Sequence, residues 1–487
     1  MNYRMILFII GKILGTEAAL MLLPLATALI YKENILPFVI TQLILIALSV
    51  ILSIKQPKDK SMRSKDGFVC VGLSWIALAS FGALPFTISG EIPSYINALF
   101  ETVSGFTTTG SSILTDVEVV SRGLTLWRSF SHWVGGMGVL VFVLAVMPRT
   151  DMKSGRFMHL MRAESPGPSV GKLVPRLADT ARVMYGIYIA LTVVLMIFLL
   201  FGGMNLFETL CHSFGVAGTG GFGIKNDSIA SYSPYCQYVM ATFMIIFGVN
   251  FNIYYFILIG QFLRTLKSEE LRWYFAIVVT AVTTICVSFY LPFSNDTLRG
   301  EEAFRVAYFQ VASIISTSGF TTADFNLWNS LSQAVLVVLM FSGACAGSTA
   351  GGIKVSRLIL LAKNAAREVK YIINPRSVHS VKFDKKTVDS DTIRGTTSFI
   401  IVYFFIFAFS VLGITIAEGC DLVSSFTAVA ACLNNIGPGL SLVGPASNFG
   451  WMSNFSKILL SFDMLAGRLE IFPILILFSP ATWKKSV

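Results

Sequence analysis

Long apolar stretches separated by short polar ones run through the whole chain, a pattern typical of a protein that crosses a membrane several times. A bilayer core of about 30 Å requires about 20 apolar residues in a helix. The pattern therefore predicts ten membrane-spanning helices, at 5–31, 36–54, 67–88, 131–147, 181–203, 236–262, 272–292, 330–363, 392–417 and 451–480.

Four shorter amphipathic segments lie between pairs of these stretches, at 95–106, 205–215, 302–315 and 421–433. A helix of about 11 residues reaches only about 16 Å, so we expect each segment to enter the membrane and turn back. A short glycine-containing segment follows each one, at 107–111, 217–221, 316–320 and 434–438. Non-helical backbone at membrane depth survives only where it lines a wet cavity or is buried in protein.

This unit recurs four times, about 100 to 120 residues apart, and a fourfold pseudo-symmetric pore explains the repeat. The predicted fold is an all-α polytopic membrane protein with four helix/pore-loop/helix repeats around one central pore and two extra N-terminal transmembrane helices. The predicted boundaries are 1–62 for the two N-terminal helices, then 63–150, 151–266, 267–380 and 381–487 for the four repeats.

The glycine segments carry small or hydroxylic side chains and no charge. Backbone carbonyls, rather than a carboxylate ring suited to divalent cations, are therefore the expected ion ligands. Glycine permits the left-handed backbone that brings successive carbonyls to one axis, and four helix C-terminal ends add partial negative charge. The predicted filter residues are Thr108, Thr109, Gly110, Gly218, Thr219, Gly220, Thr317, Ser318, Gly319, Asn435, Ile436 and Gly437.

Hydrophobic residues make up 54% of the chain and charged residues 13%, as expected of a polytopic membrane protein. The net charge of +10 comes from loops between apolar stretches, which indicates positive-inside topology rather than a nucleic-acid partner. Both termini are then cytoplasmic, and Lys12 and Glu17 mark the first stretch as an uncleaved span. The basic residues are Lys55, Lys58, Lys60, Arg63 and Lys65; Arg149, Lys153, Arg156, Arg162, Lys172 and Arg176; Arg264, Lys267 and Arg272; those of 363–394; and Lys484 and Lys485.

The opposite face carries more acid, and all four glycine segments open toward it. Either an acidic vestibule concentrates cations there, or basic residues are merely excluded from that face. The acidic residues are Glu33, Glu91, Glu101, Asp116, Glu118, Asp227, Asp296, Glu301 and Glu302.

Glycines accumulate in the middle of the eighth predicted span, at 343–352. Each costs a helix about 1 kcal/mol relative to alanine, so the segment should unwind and could form a gate below the filter; close packing of helices through small residues is the alternative. A nucleotide phosphate loop is excluded because Ile353 breaks the required spacing. The predicted gate residues are Gly343, Gly347, Ser348, Thr349, Gly351, Gly352 and Lys354.

Arg468 lies within the last apolar stretch, and an ionisable residue there faces a cavity or a partner by default. Below the filter, its guanidinium would repel a resident cation and limit ion occupancy. Alternatively, it could pair with Asp463 or Glu470 as a structural clamp.

Seven scattered cysteines without CxxC spacing indicate neither a metal site nor a disulfide framework. An intramembrane enzyme is a remote alternative. His132, His212 and Cys211 are the candidate acid, base or nucleophile, and no HExxH motif is present. A histidine in the packed core is the simpler interpretation of His132.

Taken together, these residues resemble the Trk/Ktr/HKT superfamily of potassium transporters, and specifically its bacterial TrkH branch, over essentially the whole chain. The most specific motifs are at 132–138, 166–168, 172–176, 346–354 and 467–470. The two extra N-terminal spans are similar to TrkH rather than to the shorter KtrB proteins. Two positions depart from the family pattern: Ala350, where glycine is usual, and the segment Ala217-Gly218-Thr219, where a bulkier residue often precedes the glycine.

The resemblance implies a K⁺ filter at Gly110, Gly220, Gly319 and Gly437, with Gly110 favouring potassium because relatives that admit sodium have serine there. It also implies that 343–352 is the gate, that Arg468 lies beneath the filter, and that no organic cofactor is bound. The implied setting is the bacterial inner membrane. The implied partners are a second copy of the chain and a cytosolic TrkA-type nucleotide-binding subunit that docks on the basic loops.

The expected function is thus channel-like K⁺ uptake, gated by the loop. K⁺/H⁺ or K⁺/Na⁺ coupled symport on the same fold remains the alternative. Coupling needs a titratable relay, and the candidates inside the membrane are Lys12, Glu17, Asp463, Arg468 and Glu470.

Overall fold

A computed structural model describes residues 1–57, 59, 62–138, 177–262, 265, 267–291, 298–376 and 379–484. The basic loop at 149–176, with the motifs at 166–168 and 172–176, lies outside the described residues, as do 139–147 of the fourth predicted span and Lys58, Lys60, Arg264, Asp296 and Lys485.

The N-terminal part forms three helices, α1 (Tyr3–Leu20), α2 (Leu22–Ile30) and α3 (Leu36–Ser53). Helices α1 and α3 pack closely because Gly11 leaves room for the neighbouring chain: a Cβ on Gly11 would lie 2.8 Å from Cβ of Leu52. Such contacts through small residues are the usual basis of helix association in membranes.

Four units of helix, half-length helix and helix follow, in agreement with the predicted fold class. The first two contain α4 (Ser64–Gly82), α5 (Leu84–Ser89), α6 (Tyr95–Phe106) and α7 (Arg122–Gly136), then α8 (Leu177–Phe201), α9 (Leu206–Gly218), α10 (Pro234–Phe247) and α11 (Phe251–Leu258). The last two contain α12 (Glu269–Ser288), α13 (Gly300–Ile315), α14 (Ser330–Ser342) and α15 (Val355–Ile373), then α16 (Ser390–Glu418), α17 (Leu422–Leu433), α18 (Asn454–Arg468), α19 (Phe472–Phe478) and α20 (Pro480–Trp483).

Helices α6, α9, α13 and α17, termed the pore helices below, match the four amphipathic segments. Two short 3₁₀ turns, Phe325–Leu327 and Ser441–Val443, lie in the loops after the last two of them. A small antiparallel hairpin of β1 (Lys382–Phe383) and β2 (Lys386–Thr387) connects α15 to α16.

Six helices of the described chain are long and apolar enough to cross a membrane, or seven if α10 and α11 count as one span. The prediction of a continuous span at 236–262 was wrong, because this helix pair bends by 91° between Phe247 and Phe251. Gly248 and the Asn250 side chain, which accepts from the amide of Asn252 at 2.9 Å, end one helix and begin the next.

The predicted spans at 131–147 and 451–480 also required correction. Helix α7 begins nine residues earlier, at Arg122, because its polar side chains Arg128 and His132 are buried by protein rather than exposed to lipid. Glu470 and Ile471 adopt positive φ angles of 55° and 69°, which ends α18 and starts α19 as a separate helix.

Candidate ion filter and intramembrane loop

The segments after the four pore helices share one backbone conformation. In each, a residue that carries a side chain adopts a left-handed φ of 55–57°: Thr108, Thr219, Thr317 and Asn435. The hydrogen bonds also repeat, since the amide of the following residue donates to a carbonyl five residues earlier, as from Thr109 to Ser104 and from Gly220 to Gly215. Side chains in this conformation are strained, so four repeats of it indicate a constraint imposed by the site.

Glycine occupies the second position after each left-handed residue, and these four glycines face one another around a ring: Gly110, Gly221, Gly319 and Gly437. A Cβ at any of them would meet the backbone of the next segment: the Gly221 nitrogen at 2.8 Å from Gly110, the Ser318 oxygen at 2.5 Å from Gly221, the Ile436 oxygen in overlap with Gly319, and the Thr109 oxygen at 2.9 Å from Gly437. The contacts close on themselves, so the backbone is packed too tightly for any side chain.

The ring member from the second segment is Gly221, one residue after the glycine chosen from the sequence. A Cβ on Gly220 would instead overlap the imidazole of His132, away from the other three segments. The hydrogen-bond register therefore aligns Gly220 with Thr109, Ser318 and Ile436.

A cavity of about 200 Å³ opens above the ring, and all four ring glycines line it. Among the described residues around it, the charged ones are Arg128 and Lys225. Lys225 donates to Ser231 at 3.2 Å and lies 4.1 Å from the centre of the Tyr232 ring. The described residues that line the cavity thus include no carboxylate, although Asp116 and Glu118 bond to Asn226, which lines it.

Several of the outer carboxylates accept hydrogen bonds from loops and helix starts. Glu33 accepts from the amides of Arg122 and Gly123 at 2.7 and 2.9 Å. Asp116 accepts from the Asn226 amide at 2.8 Å, and this hydrogen bond lowers the pKa of the Asp116 carboxyl. Glu33 thus holds the start of α7, and Asp116 joins its own loop to the loop that contains Asn226.

Hydroxyl groups behind the ring bond to one another. In the first and third segments, the Thr107 and Thr109 hydroxyls, and those of Ser316 and Ser318, lie 2.8 Å apart. The Asn435 amide joins the fourth segment to the first, donating to the Thr109 hydroxyl at 3.0 Å and to the carbonyl of Met464 at 2.9 Å. These bonds engage the hydroxyls of Thr107, Thr109, Ser316 and Ser318, whereas the Thr108 hydroxyl has no hydrogen-bond partner among the described residues.

A buried ion pair supports the first segment from the side. The guanidinium of Arg128 lies 2.7 Å from the Glu101 carboxylate, and both side chains are at most 2% exposed. Glu101 also accepts from the Ile113 amide at 3.0 Å, and Arg128 stacks 4.2 Å from the centre of the Phe222 ring. Sequence reasoning assigned Glu101 to the outer surface and did not consider Arg128. The pair could have been predicted from Arg128, because a cationic residue within an otherwise largely apolar stretch usually has a buried partner.

Residues 343–354, termed the intramembrane loop, are not helical, in agreement with their glycine content. Gly343, Gly347 and Gly352 have φ angles of 62°, 72° and 74°. The loop reaches the filter, since the amide of Gly351 donates to the Thr317 hydroxyl at 2.7 Å. A Cβ on Gly351 would lie 2.9 Å from that of Asn435, which shows that the loop lies directly against the filter segments.

The bend between α10 and α11 holds the other half of the loop. The amide of Cys345 donates to the carbonyl of Gly248, and the amide of Phe251 donates to that of Gly347, both at 3.0 Å. The predicted gate residues Ser348 and Thr349 donate to the carbonyls of Cys345 and Phe247. Lys354 is buried and donates to the carbonyl of Ala350.

Arg468 joins the loop to the end of α7. Its guanidinium donates to the carbonyl of Thr349 at 2.6 Å and to those of Gly135 and Gly136 at 2.5 and 2.6 Å. Glu470, considered as a clamp for Arg468, pairs with Arg357. The Asp463 carboxylate accepts from the Ser410 hydroxyl at 2.9 Å.

The groups considered for catalysis are packed into the core. A ring nitrogen of His132 lies 2.8 Å from the carbonyl of Gly105, and its ring contacts that of Phe222 at 4.3 Å. His212 lies 3.2 Å from the Tyr232 hydroxyl, and Cys211 is fully buried. In the described part of the chain, no cluster of three His, Cys, Asp or Glu residues could hold a metal ion.

Comparison with known proteins identifies the family. A family model described as "TrkH: Cation transport protein" matches residues 34–485. The chain belongs to the TrkH family. It is 36% identical to the Trk system potassium uptake proteins TrkH of Salmonella typhimurium and Escherichia coli, over the full length of both chains in each case. The crystal structure of the potassium transporter TrkH from Vibrio parahaemolyticus matches with a TM-score of 0.88 and 32% identity, covering 99% of this chain and 100% of that one.

Membership in the TrkH family confirms the resemblance and the fold class. The protein is a multi-pass membrane protein of a transporter family.

Proposed function

We propose that this protein takes up K⁺ through the ring formed by Gly110, Gly221, Gly319 and Gly437. The observation that carries the proposal is this closed ring of uncharged backbone at the ends of four pore helices. Carbonyl oxygens can replace the hydration shell of a monovalent cation, and the C-terminal ends of the pore helices favour positive charge there. The relatives named above as potassium uptake proteins support K⁺ as the ion.

In this proposal, the intramembrane loop acts as the gate of the ion path. It lies against the filter at Thr317 and Asn435 and is held by Arg468. A loop bonded to filter and helix ends blocks the path while these bonds persist, and releases it when they break. Arg468 also places a positive charge close to the ion path, which limits the number of cations below the ring.

Uptake of radioactive Rb⁺ into proteoliposomes that contain excess internal K⁺ tests the pore and the gate together. We expect uptake above that of protein-free liposomes, and faster uptake for Arg468→Ala, because that substitution removes three hydrogen bonds to the loop and α7. Background uptake by both proteins would contradict the proposal.

Coupled symport is the alternative that the buried carboxyl groups favour. Glu17 is 1% exposed, and among the described residues neither of its oxygens has a hydrogen-bond partner; one oxygen of Asp463 also lacks one there. The reversal potential of K⁺ current separates the two mechanisms: a channel follows the K⁺ gradient alone, whereas a symporter shifts with the H⁺ or Na⁺ gradient.

The proposed setting is the bacterial inner membrane, with both termini cytoplasmic, two copies of the chain, and a cytosolic TrkA-type nucleotide-binding subunit on the basic surface. Partly exposed Lys363 and Arg367 on α15 belong to that surface. Light scattering of the purified protein, with and without the regulatory subunit, tests both associations. A monomer that is unchanged by the subunit would contradict them.

A further inference from the structure

Helix α12 begins with two consecutive carboxylates that bind different parts of the molecule. The second of them, Glu270, is 6% exposed and accepts a hydrogen bond from the amide of Ala346 at 2.7 Å. A carboxylate inside a membrane protein is costly unless it is paired or hydrogen-bonded. The contact with the backbone of the intramembrane loop is therefore a specific one.

The bonded amide lies where the loop is fixed from both sides. Neighbouring Cys345 donates to Gly248, and Gly347 accepts from Phe251, so the bend between α10 and α11 holds the residues on either side of Ala346. The amide of Ala346 points instead to α12. Without the carboxylate, this buried donor would lack that partner. The present position of the loop would then be less stable.

Glu269, one residue earlier, binds the hairpin between α15 and α16. Its amide donates to the Asp384 carboxylate at 2.7 Å, and the amide of Asp384 donates back to the Glu269 carboxylate at 3.4 Å. Glu269 also pairs with Lys363, which donates to the carbonyl of Lys382 at 2.8 Å. The first turn of α12 thus joins the hairpin to the loop.

The hairpin has a tight turn and packs against both of the helices that it joins. Asp384 and Lys385 adopt φ angles of 48° and 65°, the left-handed pair found in tight two-residue hairpin turns. Val381 packs against Leu360 of α15 and Ile393 of α16. The hairpin is therefore in contact with α15, which follows the loop, and with the first turn of α12, which binds the loop.

We propose that Glu270 is a positioning residue that holds the intramembrane loop beneath the glycine ring, and that Glu269 couples this hold to the hairpin. This inference rests on the proposed function, in which the loop is the gate. Displacement of the hairpin, by a bound partner or by substitution, moves the first turn of α12 and releases the amide of Ala346.

The native Cys345, fully buried and adjacent to Ala346, provides a direct readout of loop position. The rate of its modification by a maleimide is measured by peptide mass spectrometry in the purified full chain. We expect Glu270→Ala to raise the rate at least about tenfold, because a hydrogen bond to a charged acceptor is lost. Glu270→Asp, which keeps the charge but shortens the side chain, should also raise the rate, whereas Glu270→Gln, which keeps an acceptor oxygen, should raise it less.

Glu302→Ala is the matched control, because Glu302 is an exposed carboxylate in the first turn of α13. Asp384→Ala, an exposed hairpin position, tests the coupling without altering the buried site and should also speed labelling of Cys345. Labelling of the Glu270 variants at the control rate would overturn the positioning role. Asp384→Ala at the control rate would overturn the coupling.

Rb⁺ flux through the same preparations separates this inference from the proposed function. Faster labelling accompanied by faster flux supports both. Faster labelling with unchanged flux supports the positioning role of Glu270 and contradicts the role of the loop as the gate.

Discussion

Four side-chain-bearing residues hold a left-handed backbone at the same step after each pore helix. Each costs roughly 1–2 kcal/mol relative to a right-handed conformation, and the sequences around Thr108, Thr219, Thr317 and Asn435 differ. A local preference would not produce the same angle in all four. The close approach of four backbones around one axis does, because each segment is in contact with the next.

Gly221 tests which glycine of the second segment belongs to the ring. Alanine at Gly221 would place Cβ 2.5 Å from the Ser318 carbonyl oxygen, so we expect the backbone to shift and the preference for K⁺ over Na⁺ to fall. Competition of Rb⁺ uptake by each ion measures this preference. Gly395→Ala is the control, since among the described residues no atom beyond its own part of α16 lies within 4 Å of the added Cβ; equal selectivity of the two variants would contradict the assignment.

The buried pair of Glu101 and Arg128 makes a second prediction. Removal of one partner leaves an unpaired buried charge, which typically costs about 3–5 kcal/mol. We expect Arg128→Ala to lower the thermal unfolding temperature in detergent strongly, and the double variant with Glu101→Ala to be more stable than Arg128→Ala alone. The reverse order would show that the pair is not coupled.

For individual residues, the sequence predicted that glycines form the filter, but it did not show which glycine of the second segment faces the other three. Gly220 and Gly221 are adjacent glycines, and the hydrogen bond from Gly220 to Gly215 together with the contacts of an added Cβ shows which one faces the ring. The partner of Arg128 lies 27 residues away on another helix, and the pattern of neither helix points to it.

Among the elements, the bend between α10 and α11 connects the second repeat to the loop of the third. Gly248 packs against the Tyr274 hydroxyl, and its carbonyl accepts from Cys345. The bend depends on Asn250, whose side chain caps α11. A straight helix would withdraw both the Gly248 carbonyl and the Phe251 amide from the loop.

Asn250→Ala should therefore weaken both the bend and the loop. Loss of a helix N-cap costs about 0.5–2 kcal/mol, so we expect lower thermal stability together with faster maleimide labelling of Cys345. Ser233→Ala removes the cap at the opposite end of the same helix pair and serves as the control. Equal labelling of the two variants would indicate that the bend does not hold the loop.

The half-length helices were predictable because their apolar faces are too short to span a bilayer. The bend and the start of α7 were not, because hydropathy averages over a window and does not distinguish burial in protein from burial in lipid. Arg128 and His132 make α7 look too polar for a span, although both are buried. Conversely, the apolar run at 236–262 conceals the break at Gly248.

For the whole molecule, the four units close one ring only because each contributes a pore helix and one segment. Contacts run from Gly110 to Gly221, then to the third and fourth segments and back to Thr109. A substitution that shifts the backbone of one segment should therefore also shift both neighbouring segments. The repeat of about 100 to 120 residues made this architecture predictable from the sequence, whereas the contacts between repeats required the structure.

Competition of radioactive Rb⁺ uptake in proteoliposomes by external K⁺ or Na⁺, for the wild-type protein and for Gly110→Ser, tests the central claim most directly. The serine Cβ would lie 2.8 Å from the Gly221 nitrogen at a φ of 87°, so the ring must distort. We predict wild-type uptake that is blocked by K⁺ but not by Na⁺, and a loss of this preference in the variant. Equal block of wild-type uptake by both ions would contradict a K⁺-selective glycine ring.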